Sequence, residues 1–163
     1  MPMPTSGSLW ADVHGLVLGA VFLLAYSGGL AGLFTLRTRW ETATGLRVLA
    51  RQLIAGTWIM ALVAWLTVVT GTYVVYPLYR SEFRSVLATS FWNTFSMAWK
   101  IHIGWFAPIL ATTVAYVVTR YRTQLAEEPR MRQAMVVLFP FAFVIAGVAG
   151  LLGALTNKVL PVY

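Results

Sequence analysis

Hydrophobic and polar positions divide the chain into four long apolar blocks separated by shorter polar segments. A helix rises about 1.5 Å per residue, so about 20 apolar residues cross the roughly 30 Å of hydrocarbon in a bilayer. Blocks at about 13–36, 53–76, 101–119 and 134–155 meet that length. The pattern predicts an all-α fold, an integral membrane four-helix up-down bundle that forms a single membrane domain.

The polar segments are short. "MPMPTSGS" reads as an extended tail, "RTRWETATGLR" as a helical turn starting near the Thr/Glu pair, and "TQLAEEPRMR" as a turn broken by Pro129. The segment 77–100 differs, because Phe83, Phe91, Trp92, Phe95 and Trp99 alternate with Ser, Thr, Asn and a few charges. Aromatics at this density mark a membrane interface, and residues 85–97 are expected to lie on the outer surface as a short amphipathic helix. Simple anchoring accounts for such a segment; a lid or docking surface is the alternative.

Composition agrees with the pattern. Of 163 residues, 59% are hydrophobic and only 10% charged, and the mean hydropathy is +0.74, which excludes an ordinary soluble domain. No basic residue precedes the first block, and that block is longer than a signal-peptide core, so it is expected to remain as an anchor. The absence of cysteine removes disulfides, thiolate-bound iron–sulfur clusters and covalently attached c-type haem. Any cofactor then has to be held by His, Met or backbone.

The net charge of +7 follows topology and not a nucleic-acid patch. Arg37, Arg39, Arg47 and Arg51 lie between the first two blocks, and Arg120, Arg122, Arg130 and Arg132 between the last two. Only Arg80, Arg84, Lys100 and Lys158 fall on the other side. The positive-inside rule therefore puts both termini and the segment 77–100 on the outer, periplasmic side, in a multi-pass protein of the bacterial inner membrane.

Within the blocks, Gly15 with Gly19 and Gly28 with Gly32 form GxxxG pairs, and Ala142, Ala146, Gly150 and Ala154 line one face of the last helix. Pro108 and Pro140 are expected to kink their helices and release the carbonyls of Gly104 and Val136. Ser27, Thr57, Thr67, Thr70, Thr112 and Thr113 can bond back to their own helices. No Asp, Glu, Lys or Arg stands at the centre of a block, which argues against a transporter or ion pump.

The two histidines occur in related settings, "WADVHG" around His14 and "WKIHIG" around His102. Both blocks enter from the same side, and the first and third helices of an up-down bundle are diagonal across its core, where cofactor sites are built. Two neutral imidazoles can ligate a haem iron from opposite faces. Gly15, Gly19 and Gly104 would make room for the macrocycle, and Lys100, Arg84 and Arg80 would meet its propionates.

"HGLVLGAVFLLAYSGGLAGLFTLR" resembles the opening helix of the transmembrane cytochrome b-561 class, in which an HG pair at one membrane edge begins an apolar run that ends in a basic residue. In that family haem ligands pair between alternate helices, first with third and second with fourth. The resemblance implies haem b held by His14 and His102. The second and fourth blocks contain no histidine, so the family's second haem does not carry over.

The leading expectation is a b-type cytochrome subunit with one haem near the outer face. It would pass electrons to a quinone or a partner subunit of an oxidoreductase complex. Two plain interfacial histidines are the simpler reading, and chlorophyll, copper or a quinone headgroup are further ligands for them. Zinc catalysis wants three protein ligands, and the nearby carboxylates are only Asp12 and Glu82. The competing expectation is a cofactor-free accessory or structural subunit of a larger respiratory or photosynthetic membrane complex, packed through its Gly- and Ala-rich faces. A pigment- or lipid-binding protein is a third.

Overall fold

The computed structural model describes residues 9–10, 12–35, 43–82 and 91–158. Among them 97% are helical and none is in a strand, so the all-α class stands. Helix α1 opens as a widened π turn, Val13–Leu18, and continues as Gly19–Thr35. Helix α2 runs Ala43–Thr70, widens into a second π turn at Gly71–Val75 and ends with Tyr76–Glu82. Helix α3 comprises Phe91–Gly104 and Phe106–Arg120, interrupted at Trp105. A short α4, Arg122–Glu127, leads into α5, Pro129–Lys158.

Three stretches are long and apolar enough to cross a membrane: Ala50–Leu78, Phe91–Arg120 and Gln133–Gly153. The apolar part of α1, Val13–Gly29, is shorter, and its rise of about 25 Å falls just under the hydrocarbon thickness. The third stretch starts ten residues before the expected position. Residues 91–97 are the first part of that helical stretch; residues 83–90 are outside the described part.

The proline expectations divide. Pro108 has no N–H for the Gly104 carbonyl, and α3 breaks at Trp105, directly after Gly104. At Pro140 α5 continues without interruption. The expected threonines bond back to their helices: Thr57 to Leu53 O at 2.9 Å, Thr67 to Val63 O at 2.7 Å, Thr70 to Leu66 O at 2.7 Å, Thr112 to Pro108 O at 2.7 Å and Thr113 to Ile109 O at 2.9 Å. Hydrocarbon supplies no partner for a hydroxyl, so each is satisfied within its own turn.

Helix α1 packs along α2, α2 along α3, and α3 along α5, and a narrower seam joins α5 to α1. Between α2 and α3 two indoles seven residues apart meet two hydroxyls seven residues apart. Trp58 Nε1 donates to Thr119 Oγ1 and Trp65 Nε1 to Thr112 Oγ1, each at 3.0 Å, and Trp65 also meets Trp105 edge-on at 5.9 Å. On the α1–α5 seam Tyr26 stacks on Phe143 with ring centroids 4.4 Å apart and tilts against Phe139. Phe139, Met60, Val114 and Ala111 are fully enclosed at the centre. Lipid tails are as apolar as these side chains, so the seams are held by close packing and interhelical hydrogen bonds more than by expulsion of water.

The small residues that permit this closeness are not all the expected ones. A methyl group on Gly29 would strike the Phe139 ring, and one on Gly32 would come within 3.2 Å of Leu53 Cδ1. Around Gly15, Gly19 and Gly28 there is open space. On α5, Ala142 is buried and Ala146 half-buried, whereas Gly150 is exposed.

Candidate functional site

The residues with chemical potential gather at the end of the bundle where α1 begins and α2 ends. His14 lies in the first π turn, and Thr70 and Gly71 stand at the start of the second. Isolated π turns are uncommon and occur often at functional positions, and here the His14 ring of the first reaches Gly71 of the second. The Thr70 hydroxyl donates to the Leu66 carbonyl, so it accepts from His14, whose Nδ1–H lies 3.3 Å from Thr70 Oγ1.

Gly71 gives the imidazole its seat. A methyl group there would come within 2.6 Å of Cε1 and 3.1 Å of Nε2 of His14. Lys100 of α3 reaches the same region, close enough to act electrostatically on the His14 ring. Its side chain lies across α5 at Gly153, where a methyl group would stand 2.7 Å from Nζ. All four long helices thus contribute to one polar cluster. Gly153 is near the C-terminal end of α5, and the carbonyl-rich end of a helix favours a cation.

Helix periodicity explains why Lys100, and not His102, faces His14. Asn93, Lys100 and Ala107 stand seven residues apart, and Ala107, Ala111, Val114 and Val118 continue at three- and four-residue spacing along the face of α3 that enters the bundle. His102 is two residues beyond Lys100, about 200° around the helix. It is exposed, on the opposite stripe with Phe91, Trp92, Phe95, Trp99 and Phe106. Its Nδ1–H donates to the Ala98 carbonyl at 2.6 Å.

Each imidazole has its Nδ1 engaged in a hydrogen bond. As a pair they do not fit a haem held between α1 and α3, because one ring is seated on α2 and the other turns away from the bundle. Of the other expected contributors, Gly15 is exposed, Gly19 and Gly104 are half-buried with open space around them, and Arg80 is exposed. Arg84 lies outside the described residues. Among the described residues no group of three or more His, Cys, Asp or Glu side chains is placed to hold a metal ion.

No family model, curated protein or solved structure matches the chain.

Thr70, Gly71 and Gly153 were not distinguishable as site residues in the sequence. Gly71 looks like any glycine in an apolar helix, and only the arrival of His14 from another helix gives it a role. The inward placement of Lys100 has a signal in the sequence, its spacing of 7, 4, 7 and 11 residues from Asn93, Gly104, Ala107 and Ala111, each close to a whole number of helical turns.

Proposed function

We propose that this chain is an accessory subunit of a larger membrane complex, a four-helix up-and-down bundle that docks a second membrane chain on the outward stripe of α3. The observation that carries this reading is the depth of His102. The Phe91–Arg120 stretch is 30 residues long, which spans about 45 Å, the hydrocarbon together with both headgroup layers. His102 lies about 16 Å along it from Phe91, below a headgroup layer of about 5–8 Å. An imidazole nitrogen facing acyl chains at that depth is costly, and a hydrogen-bonding partner on another helix removes the cost.

The aromatic neighbours support the same reading. Phe91, Trp92, Phe95 and Trp99 contact one another in sequence, with adjacent centroids 5.5–6.1 Å apart, and Phe106 extends the stripe. From Phe91 to Phe106 it covers about 22 Å, several times the depth of an interfacial aromatic belt. The opposed ends that meet in the contacts of His14 with Thr70, Trp58 with Thr119 and Lys100 with Gly153 support the up-and-down threading. The eight basic residues flanking the α1–α2 and α3–α5 connections support an orientation with those connections in the cytoplasm and both termini outside. In this reading the contact of His14 with Thr70 fastens α1 to α2 at the outer end.

The test is the composition of the complex extracted from native membranes in a mild detergent. The chain is expected to migrate well above its 18.0 kDa, with a second chain in fixed ratio, and His102→Leu is expected to release it as a monomer. A native monomer, or a complex indifferent to His102→Leu, overturns the reading. So does a reducible b-type absorption band lost in both His14→Ala and His102→Ala, which would establish the haem arrangement instead.

A further inference from the structure

At the opposite end of the bundle, an open groove of about 450 Å³ lies between α2 and α3, lined by Trp58, Tyr116, Thr119, Arg120 and Arg122. We infer that this groove is a binding site for an anionic phospholipid, whose phosphate is gripped by Arg120 and Arg122 and whose glycerol and upper acyl chains lie against Trp58 and Tyr116.

Depth, hydrogen bonding and charge lead to this occupant. The groove is at the boundary of the apolar stretches, since Ala50–Leu78 begins two turns before Trp58 and Phe91–Arg120 ends at Arg120. In a spanning bundle it therefore opens at headgroup level. The Trp58 indole N–H is already spent on Thr119 Oγ1, and the Thr119 hydroxyl on the Ala115 carbonyl at 2.7 Å. Trp58 and Thr119 thus offer the groove carbon surface and no spare donor.

The remaining donors are the two guanidiniums and the Tyr116 hydroxyl. Arg120 lies over the Tyr121 ring with its guanidinium carbon 5.7 Å from the centroid, and among the described residues neither Arg120 nor Arg122 is in an ion pair. Guanidinium forks match phosphate oxygens in pairs, and two of them favour a lipid with net negative charge over a zwitterion that carries its own cation. Arg51, also exposed and one heptad before Trp58 on the same stripe of α2, adds to the positive field at the mouth.

The experiment uses the full chain in vesicles of phosphatidylcholine to which brominated phosphatidylglycerol or brominated phosphatidylcholine is added at equal mole fraction, with tryptophan quenching as the readout. Brominated phosphatidylglycerol is expected to quench more than its phosphatidylcholine counterpart. The excess should disappear in Trp58→Phe and shrink as ionic strength rises. The double variant Arg120→Gln with Arg122→Gln should weaken the preference roughly tenfold, and Arg80→Gln at the other end should leave it unchanged. Equal quenching by the two lipids in the unmodified chain overturns the inference, without reference to any variant. Persistence of the excess in Trp58→Phe, or in the double arginine variant with native helicity, also overturns it.

Discussion

Gly71→Ala is the sharpest probe of the cluster around His14. The added methyl would stand 2.6 Å from Cε1 of His14, 3.1 Å from Nε2 and 3.4 Å from Nδ1, so the ring as a whole has to move. It cannot do so while its Nδ1–H stays on Thr70 Oγ1. Forced overpacking costs about 1–3 kcal/mol and a lost hydrogen bond about 1 kcal/mol, whereas replacing a helical glycine by alanine returns about 0.5–1 kcal/mol. The net expectation is a destabilisation of about 1–3.5 kcal/mol. In a His14→Ala background the methyl enters the space the ring has vacated, and Gly71→Ala should then be neutral or stabilising. Unfolding of the four proteins in mixed micelles by increasing dodecyl sulfate, followed by circular dichroism, measures the cycle. A coupling of about 2 kcal/mol is expected; additivity within about 0.5 kcal/mol would show that the ring does not rest on Gly71.

Three further substitutions separate rigid from yielding contacts under the same unfolding assay. Gly153→Ala also introduces a close approach, but to the mobile end of Lys100, so it should change stability by less than about 0.5 kcal/mol. A loss above 2 kcal/mol there would mean that the lysine is held fast. Gly29→Ala drives a methyl into Phe139, which is fully buried and has nowhere to go, and should cost about 3 kcal/mol or more by opening the α1–α5 seam; a neutral result would refute that packing. Thr112→Val and Thr119→Val each remove the acceptor of one indole and should cost about 0.6 kcal/mol apiece, near the mean for membrane interhelical bonds, and their effects should add because the two sites are two helical turns apart.

Much of the architecture can be read from the chain because its causes are local. Apolar length gives the spans, the missing N–H of Pro108 gives the break at Trp105, and threonine hydroxyls find carbonyls one turn back whatever surrounds the helix. The start of α3 was harder to place. Asn, Ser, Thr and Lys between residues 93 and 100 lower its hydropathy, so the apolar block reads as beginning at 101, although the stripe through Asn93 and Lys100 extends the helix toward its N-terminus.

The candidate site marks the boundary between the two sources of information. The chain alone puts each histidine at the start of an apolar block, and the α3 repeat implies that Lys100 and His102 point in opposite directions. Which helix receives each side chain depends on rotation about helix axes, and that is set by contacts between residues far apart in the chain. His14 turns to α2 because Gly71 leaves room and Thr70 offers an oxygen, and Lys100 enters the bundle because Gly153 lets it lie across α5. Only the tertiary structure decided those pairings, because a glycine becomes a seat only when another helix brings the side chain that needs it.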